Sequence, residues 1–140
     1  MEGNTNRKDG LRFESELCQK LAEAGWWAHD MTQNAAGQPA DVIAVRVNHA
    51  VLIDCKICSR DSFDMKRIEP NQESAMTLWE EMGNEYAFYA LKLSNGLIYM
   101  MDWKEVKFLK QQNVKNIPLW YMAKQFATFE QWLDIMEDEI

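Results

Sequence analysis

The sequence predicts an α/β fold, one central sheet flanked by helices, with elements in the order α-β-β-β-α-β-β-α-α. Helix-spaced apolar residues open the chain, and two short apolar runs meet at a turn near residues 48–49. A segment with helical spacing, started by Pro70, then separates those runs from a second pair of strands.

Residues 1–9 are polar and are expected to form a loose arm. Over 11–24, Phe13, Leu17, Leu21 and Ala24 recur at helical spacing, and Gly25 supplies a stop. Residues 26–31 suit a strand and 32–40 a loop, while 41–47 and 50–57 read as two buried strands joined around Asn48-His49. After a polar stretch over 58–67, Pro70 fits the first turn of a helix running to about Met82, with Gly83 as its cap. Strands over 86–93 and 97–101 flank the turn residues Ser94, Asn95 and Gly96. Asp102 with Glu105 reads as a capping box for a helix to about Gln111, and Thr128 with Gln131 as another for an acidic C-terminal helix over 126–140.

With 140 residues, 47% of them hydrophobic, the chain suits one domain spanning 1–140. No apolar run approaches the roughly 20 residues a membrane helix needs, the N-terminus is not signal-like, and three cysteines cannot pair completely. These features predict a cytoplasmic protein with reduced thiols and no membrane partner. The net charge of -7 weighs against nucleic-acid binding, yet residues 1–70 hold 9 of the 15 basic side chains and residues 126–140 carry five acids and no base. A basic working face beside an acidic tail fits that distribution.

Projected at 100° per residue, Glu14 falls inside the apolar arc of the first helix, with Glu16, Lys20 and Glu23 opposite. An inward carboxylate needs a partner or a metal; the other reading is a helix-edge side chain that reaches water. If Asn48-His49 is the turn, Asp41 lies opposite Lys56 and Ile43 opposite Asp54, so Asp41, Asp54 and Lys56 share one face. Two convergent carboxylates, a backbone carbonyl and waters can hold Mg²⁺, with Lys56 beside the attacking water. A structural Asp41–Lys56 pair is the alternative. Gln72 sits in the stripe of Ala75, Met76, Trp79 and Met82, and can orient a water or cap a strand carbonyl.

Other chemistries find little support. Cys55 and Cys58 match C-x-x-C but would face opposite sides of a strand, leaving Cys18, His29 and His49 as scattered soft ligands. The glycine patterns of nucleophile elbows, dinucleotide sites and phosphate loops are absent, so no nucleotide cofactor is expected.

Gly10, Arg12, Phe13 and Glu14 on the first helix, the run from Gly37 to Asp41, and Ile53, Asp54 and Lys56 on the next strand together resemble the PD-(D/E)XK nuclease signature. Within that superfamily the layout is most similar to RecU- and Hjc-type Holliday-junction resolvases. Phe63, Asn71 and Gln72 resemble the segment after the acid-x-Lys strand in RecU-type proteins, and residues 116–118 resemble a later stretch. The resemblance covers about residues 8–120. Asp54 departs from the glutamate more usual in resolvases, and the hairpin is too short for a junction-inserting stalk.

The resemblance implies a restriction-endonuclease-like core with a mixed sheet and a Mg²⁺-dependent endonuclease in recombination and repair, with Mn²⁺ able to substitute. It implies that Asp41, Asp54 and the Cys55 carbonyl hold the metal, that Lys56 positions water, and that Glu14 binds a second metal or orients water. Arg7, Lys8, Arg12, Arg60, Lys66 and Arg67 become candidates for DNA backbone contacts. Paired cuts on branched DNA imply a homodimer, for which Trp120, Phe126, Phe129 and Trp132 offer aromatic surface. A restriction or repair nuclease and a nuclease-fold inhibitor or DNA mimic are the competing expectations.

Overall fold

A computed structural model of the chain describes the backbone of residues 2–31 and 40–140, with side chains from Lys8 onward. The elements are α1 (Glu2–Glu23), β1 (Trp27–Asp30), β2 (Val42–Arg46), β3 (His49–Cys58), β4 (Ser62–Asp64), a 3₁₀ turn (Met65–Arg67), α2 (Pro70–Glu81) and β5 (Tyr86–Leu93). They continue with β6 (Ile98–Asp102), α3 (Trp103–Gln111), β7 (Asn116–Pro118), α4 (Leu119–Gln125), β8 (Ala127–Thr128) and α5 (Phe129–Glu139). The main sheet runs β1-β2-β3-β5-β6-β8, antiparallel throughout except for the parallel β3–β5 pair, and β4 pairs with β7 in a two-stranded ladder. This is the expected α/β architecture, a mixed sheet flanked by helices.

The sheet divides the interior into two cores because alternate strand residues face opposite ways. Val42, Ala44, Val51, Ile53, Ala90 and Met100 join Phe13, Leu17 and Leu21 of α1 and Phe129, Trp132 and Met136 of α5 on one side. Leu52, Tyr89, Leu91 and Met101 join Met76 of α2, Val106 and Leu109 of α3 and Met122 of α4 on the other. Both faces of β3 are therefore buried, and any charge on it lies inside the protein.

Several expectations need correction. α1 begins at Glu2 rather than near Leu11, so residues 2–9 are helical instead of a loose arm. No proline interrupts those turns, and Gly10 costs a helix interior only about 1 kcal/mol. The hairpin turn is Val47-Asn48, both at positive φ as a type I′ turn requires, so Val45 pairs with Ala50 and the register moves by two residues. A β-branched residue resists positive φ, and at Val47 packing of both strands overrides that reluctance. Asp102 caps α3 by accepting the Lys104 N–H at 2.8 Å, but Glu105 accepts the Tyr121 hydroxyl instead of completing a box. The box at Thr128 and Gln131 forms as expected. Phe126, Phe129 and Trp132 are 7%, 2% and 3% exposed, so they are core and not dimer surface; of the four aromatic candidates only Trp120 lies outside. Trp132 finds enough neighbours by stacking on Trp26 and Phe129 and meeting Phe88 edge-on.

Gly25 ends α1 with φ +92°, a conformation that penalises any side chain. A Cβ there would sit 2.0 Å from the Arg46 guanidinium, which donates to Ala24 O at 2.6 Å and pairs with Glu137 at 2.6 Å. Gly25→Ala therefore displaces the side chain that ties α1 and α5 to β2, besides forcing strain. We expect a loss of about 3 kcal/mol, read as a melting temperature lower by roughly 10 °C. A drop under about 2 °C would show that Arg46 moves aside freely.

Candidate active site

The two-residue change of register leaves every side chain on its original face, because strand residues alternate with period two. Extending the observed pairing one step beyond Val42 and Ile53 sets Asp41 opposite Asp54 rather than opposite Lys56. The ladder loosens at this step, since the Asp41 N–H donates to Ile53 O at 3.1 Å, and the Asp41 side chain is fixed beside β3 by accepting the Cys55 N–H at 2.7 Å. Asp41, Asp54 and Lys56 are thus brought together by the hairpin, and α1 adds Glu14, which is 9% exposed.

Electrostatics bind the four into one unit. Asp54 is 2% exposed, and burial, reinforced by the charge of Asp41, pushes its carboxyl up to about 8 despite the Lys56 ammonium. Burial likewise pushes Glu14 up to about 8, with further upward pressure from Asp41, Asp30 and Asp54. Glu14 shares a hydrogen bond with Asp41. Lys56 Nζ lies 3.4 Å from Asp54 Oδ2, beyond the roughly 2.7–3.2 Å of a good hydrogen bond. Three carboxylates therefore crowd one ammonium in a poorly hydrated place, and Glu14 and Asp54 hold protons that isolated acids would release.

Does this set fit a divalent cation? Asp54 Oδ2 is buried without a hydrogen-bond donor among the described residues, and the carboxylates outnumber the local cations. The Cys55 N–H donates to Asp41 Oδ2 at 2.7 Å. In an extended strand the N–H and C=O of one residue point to the same edge, so the Cys55 carbonyl faces the Asp41 side, beyond Val42, the first residue of β2. No three metal-ligating side chains among the described residues form a ready-made cage. Mg²⁺ does not ask for one, since it commonly takes one or two carboxylates and keeps several waters. The residues present fit such an ion.

The other candidates fall in two groups. An open groove runs from Lys56 between α1 and the far end of β3, lined by Asp9, Gly10, Cys55, Ile57, Ser59 and Arg67. A second groove adjoins it at Ser59 and Arg67 and adds Arg60 and Asn116. Arg67 is held there by donating to Ile57 O at 2.7 Å and by lying over the Phe63 ring. Lys8, Arg12, Arg60, Lys66 and Arg67 are all exposed, whereas the Arg7 side chain and residues 37–39 of the motif lie outside the described residues. The opposite end of the sheet is acidic: Glu85, Asp102, Glu105 and Glu139 surround a separate cavity that has one lysine, Lys104, and shares no lining residue with these grooves. Gln72 is engaged at the start of α2, where its oxygen accepts the Glu69 N–H at 3.2 Å. That hydrogen bond belongs to a Glu69-x-x-Gln72 capping pattern, which could have been read from spacing.

Sequence reasoning missed Asp30. It ends β1, pairs with Val42, and raises the proton affinity of both Glu14 and Cys18. Its position near the end of the strand expected over 26–31, ahead of Asp41 in the chain, was the available signal. Cys18, Cys55 and Cys58 are free, and burial raises all three thiols, so they are poor nucleophiles. Among the described residues no helix is long and apolar enough to cross a membrane.

Comparison with known proteins gives concordant findings. A family model described as archaeal Holliday junction resolvase (Hjc) matches residues 5–131. Among solved structures, Hjc of Archaeoglobus fulgidus, a Holliday junction resolvase from an archaeal hyperthermophile, superposes with a TM-score of 0.66 at 22% identity, covering 90% of this chain and 96% of that one. No curated protein sequence matches.

Proposed function

Because the chain belongs to the archaeal Holliday junction resolvase (Hjc) family, and so is an endonuclease acting on DNA junctions, we propose that the cluster of Glu14, Asp41, Asp54 and Lys56 is its catalytic centre. The observation that carries this reading is the convergence of three carboxylates and one lysine at the centre of a strand buried on both faces. A purely structural ion pair would not need an acid surplus that forces its members to retain protons.

Nucleases of this fold are metal-dependent. In our reading Asp41, Asp54 and the Cys55 carbonyl hold Mg²⁺, with Mn²⁺ able to replace it, and Glu14 serves a second cation or a water. The bound ion supplies stabilisation of the charge that develops on the phosphate oxygens. Lys56 directs its ammonium donors toward the attacking water and the scissile phosphate, held in line by Asp54. Gln72, its oxygen committed to the helix cap, offers amide donors to a water or a substrate oxygen. Lys8, Arg12, Arg60, Lys66 and Arg67, with Arg7, neutralise phosphates on either side of the groove and fix the duplex in register. The acidic end of the sheet stays away from DNA. The protein works in the cytoplasm with its thiols reduced.

Resolving a four-way junction takes two cuts related by symmetry, and one chain offers one cluster, so the working species is a homodimer. Trp120, 67% exposed, and an apolar groove between β2 and α2 rimmed by Leu78 and Met82 are surface available for that contact. The test is Mg²⁺-dependent cleavage of a four-way junction beside a linear duplex, run with sedimentation at micromolar concentration. We expect the junction to be cut at least about tenfold faster, by a two-chain species, with binding that weakens steeply as salt rises. A strict monomer cutting both substrates at one rate would leave the catalytic cluster standing and remove the dimeric junction specificity.

A further inference from the structure

Tyr89 is completely buried, and its hydroxyl has no hydrogen-bond partner among the described residues. Such a group is uncommon, because burying a hydroxyl unpaired costs roughly 1–3 kcal/mol. Its position is informative. In the parallel β3–β5 ladder Tyr89 pairs with Asp54, so the two side chains leave the sheet in the same direction from strands about 5 Å apart. Asp54 Oδ2 is the other polar atom of this patch without a hydrogen bond, its ion-pair partner Lys56 Nζ standing 3.4 Å away. Only five buried side-chain atoms among the described residues lack a hydrogen-bond partner, and these two stand on directly paired residues. Their needs are complementary, one a donor without an acceptor and the other an acceptor whose neighbouring ammonium stands too far for a good hydrogen bond. The charge of Asp54 acts on the Tyr89 hydroxyl more strongly than that of Glu73, the second carboxylate within reach, which is already engaged by Lys110.

We infer that Tyr89 is a positioning residue for Asp54, its hydroxyl holding Oδ2 through one shared water so that the carboxylate presents a fixed oxygen to the cation. This rests on the proposed metal site and adds a determinant of its affinity that the acid-x-lysine pattern does not contain. A phenol suits the role. It donates at any working pH, carries no charge of its own into the crowded cluster, and is locked by the surrounding core, as partners behind metal ligands generally are.

Tyr89→Phe tests the inference, since it removes one oxygen and keeps the packing. Mn²⁺ is titrated into the metal-free protein by calorimetry, with no DNA present, and thermal melts are recorded on the same samples. Wild type, Tyr89→Phe and Asp54→Asn are compared. We expect Tyr89→Phe to weaken Mn²⁺ binding about tenfold while its metal-free melting temperature stays level or rises, and Asp54→Asn to abolish binding. Binding by Tyr89→Phe within threefold of wild type, while Asp54→Asn abolishes it, overturns the role of Tyr89 alone. Unchanged binding in both variants overturns the metal site itself, and the inference with it.

Discussion

Asp54→Asn is expected to abolish junction cleavage, lowering kcat by at least about a thousandfold, and at the same time to raise the stability of the metal-free protein at pH 8. The first effect follows from losing the carboxylate most deeply placed in the cluster while its shape is kept. The second follows from linkage. Burial and Asp41 hold the folded-state carboxyl near 8, against 3.8 as its ordinary value, so the folded protein binds a proton that the unfolded chain has released. Stability that the proton confers is complete below about pH 4 and is lost as pH climbs through the folded value near 8. Asparagine carries no charge and escapes that loss. The variant should melt at least about 5 °C above wild type at pH 8, and the gap should close towards pH 4. Cleavage retained within tenfold of wild type would falsify the catalytic assignment of Asp54, whatever the melts show.

The second large effect separates two glutamates on one helix. Glu14→Gln should lower turnover by about a hundredfold, because Glu14 is buried against Asp41 and carries one of the three site carboxylates. Glu16 is two residues away and pairs instead with Lys92 at 2.7 Å, a partly exposed contact that holds α1 to β5. Glu16→Gln should leave turnover within about threefold and cost no more than about 1 kcal/mol of stability. Equal losses of turnover would mean that α1 serves the site as a scaffold and not through Glu14.

Much of this was legible in the chain. The phase of α1 follows from Phe13, Leu17 and Leu21, and with it the inward direction of Glu14. The ends of α2 follow from Pro70 and Gly83, and β5 matches the apolar run that predicted it. What the sequence concealed is stabilised from a distance. β4, β7 and β8 have three, three and two residues, too few to show a period, and exist because partners from elsewhere complete them. Phe63 and Ile117, both fully buried, face each other in the β4–β7 ladder, 54 positions apart in the chain. The hairpin register was misplaced by two, yet the shared face survived, because an even displacement cannot change which side of a strand a residue occupies. Gln72 was placed in an apolar stripe, and the competing pull of the Glu69 N–H was overlooked. The burial of the aromatic residues near the C-terminus is not visible in the sequence, because a tally of side chains says nothing of the stacking that covers Trp132.

The segregation of charge along the sheet sets how the protein meets its substrate. With a net charge of -7, its distant field repels DNA, and on the proposed reading the end bearing Arg60 and Arg67 attracts phosphate once separation falls to about a Debye length, roughly 8 Å at physiological salt. Approach with the Glu85 and Glu139 end forward is turned back before contact, so encounters are sorted by orientation before any hydrogen bond forms. A lone duplex gives the attractive end few phosphates to set against that repulsion. The centre of a junction, where four arms converge, crowds phosphates into the short range in which attraction prevails, and a shape becomes readable through charge alone.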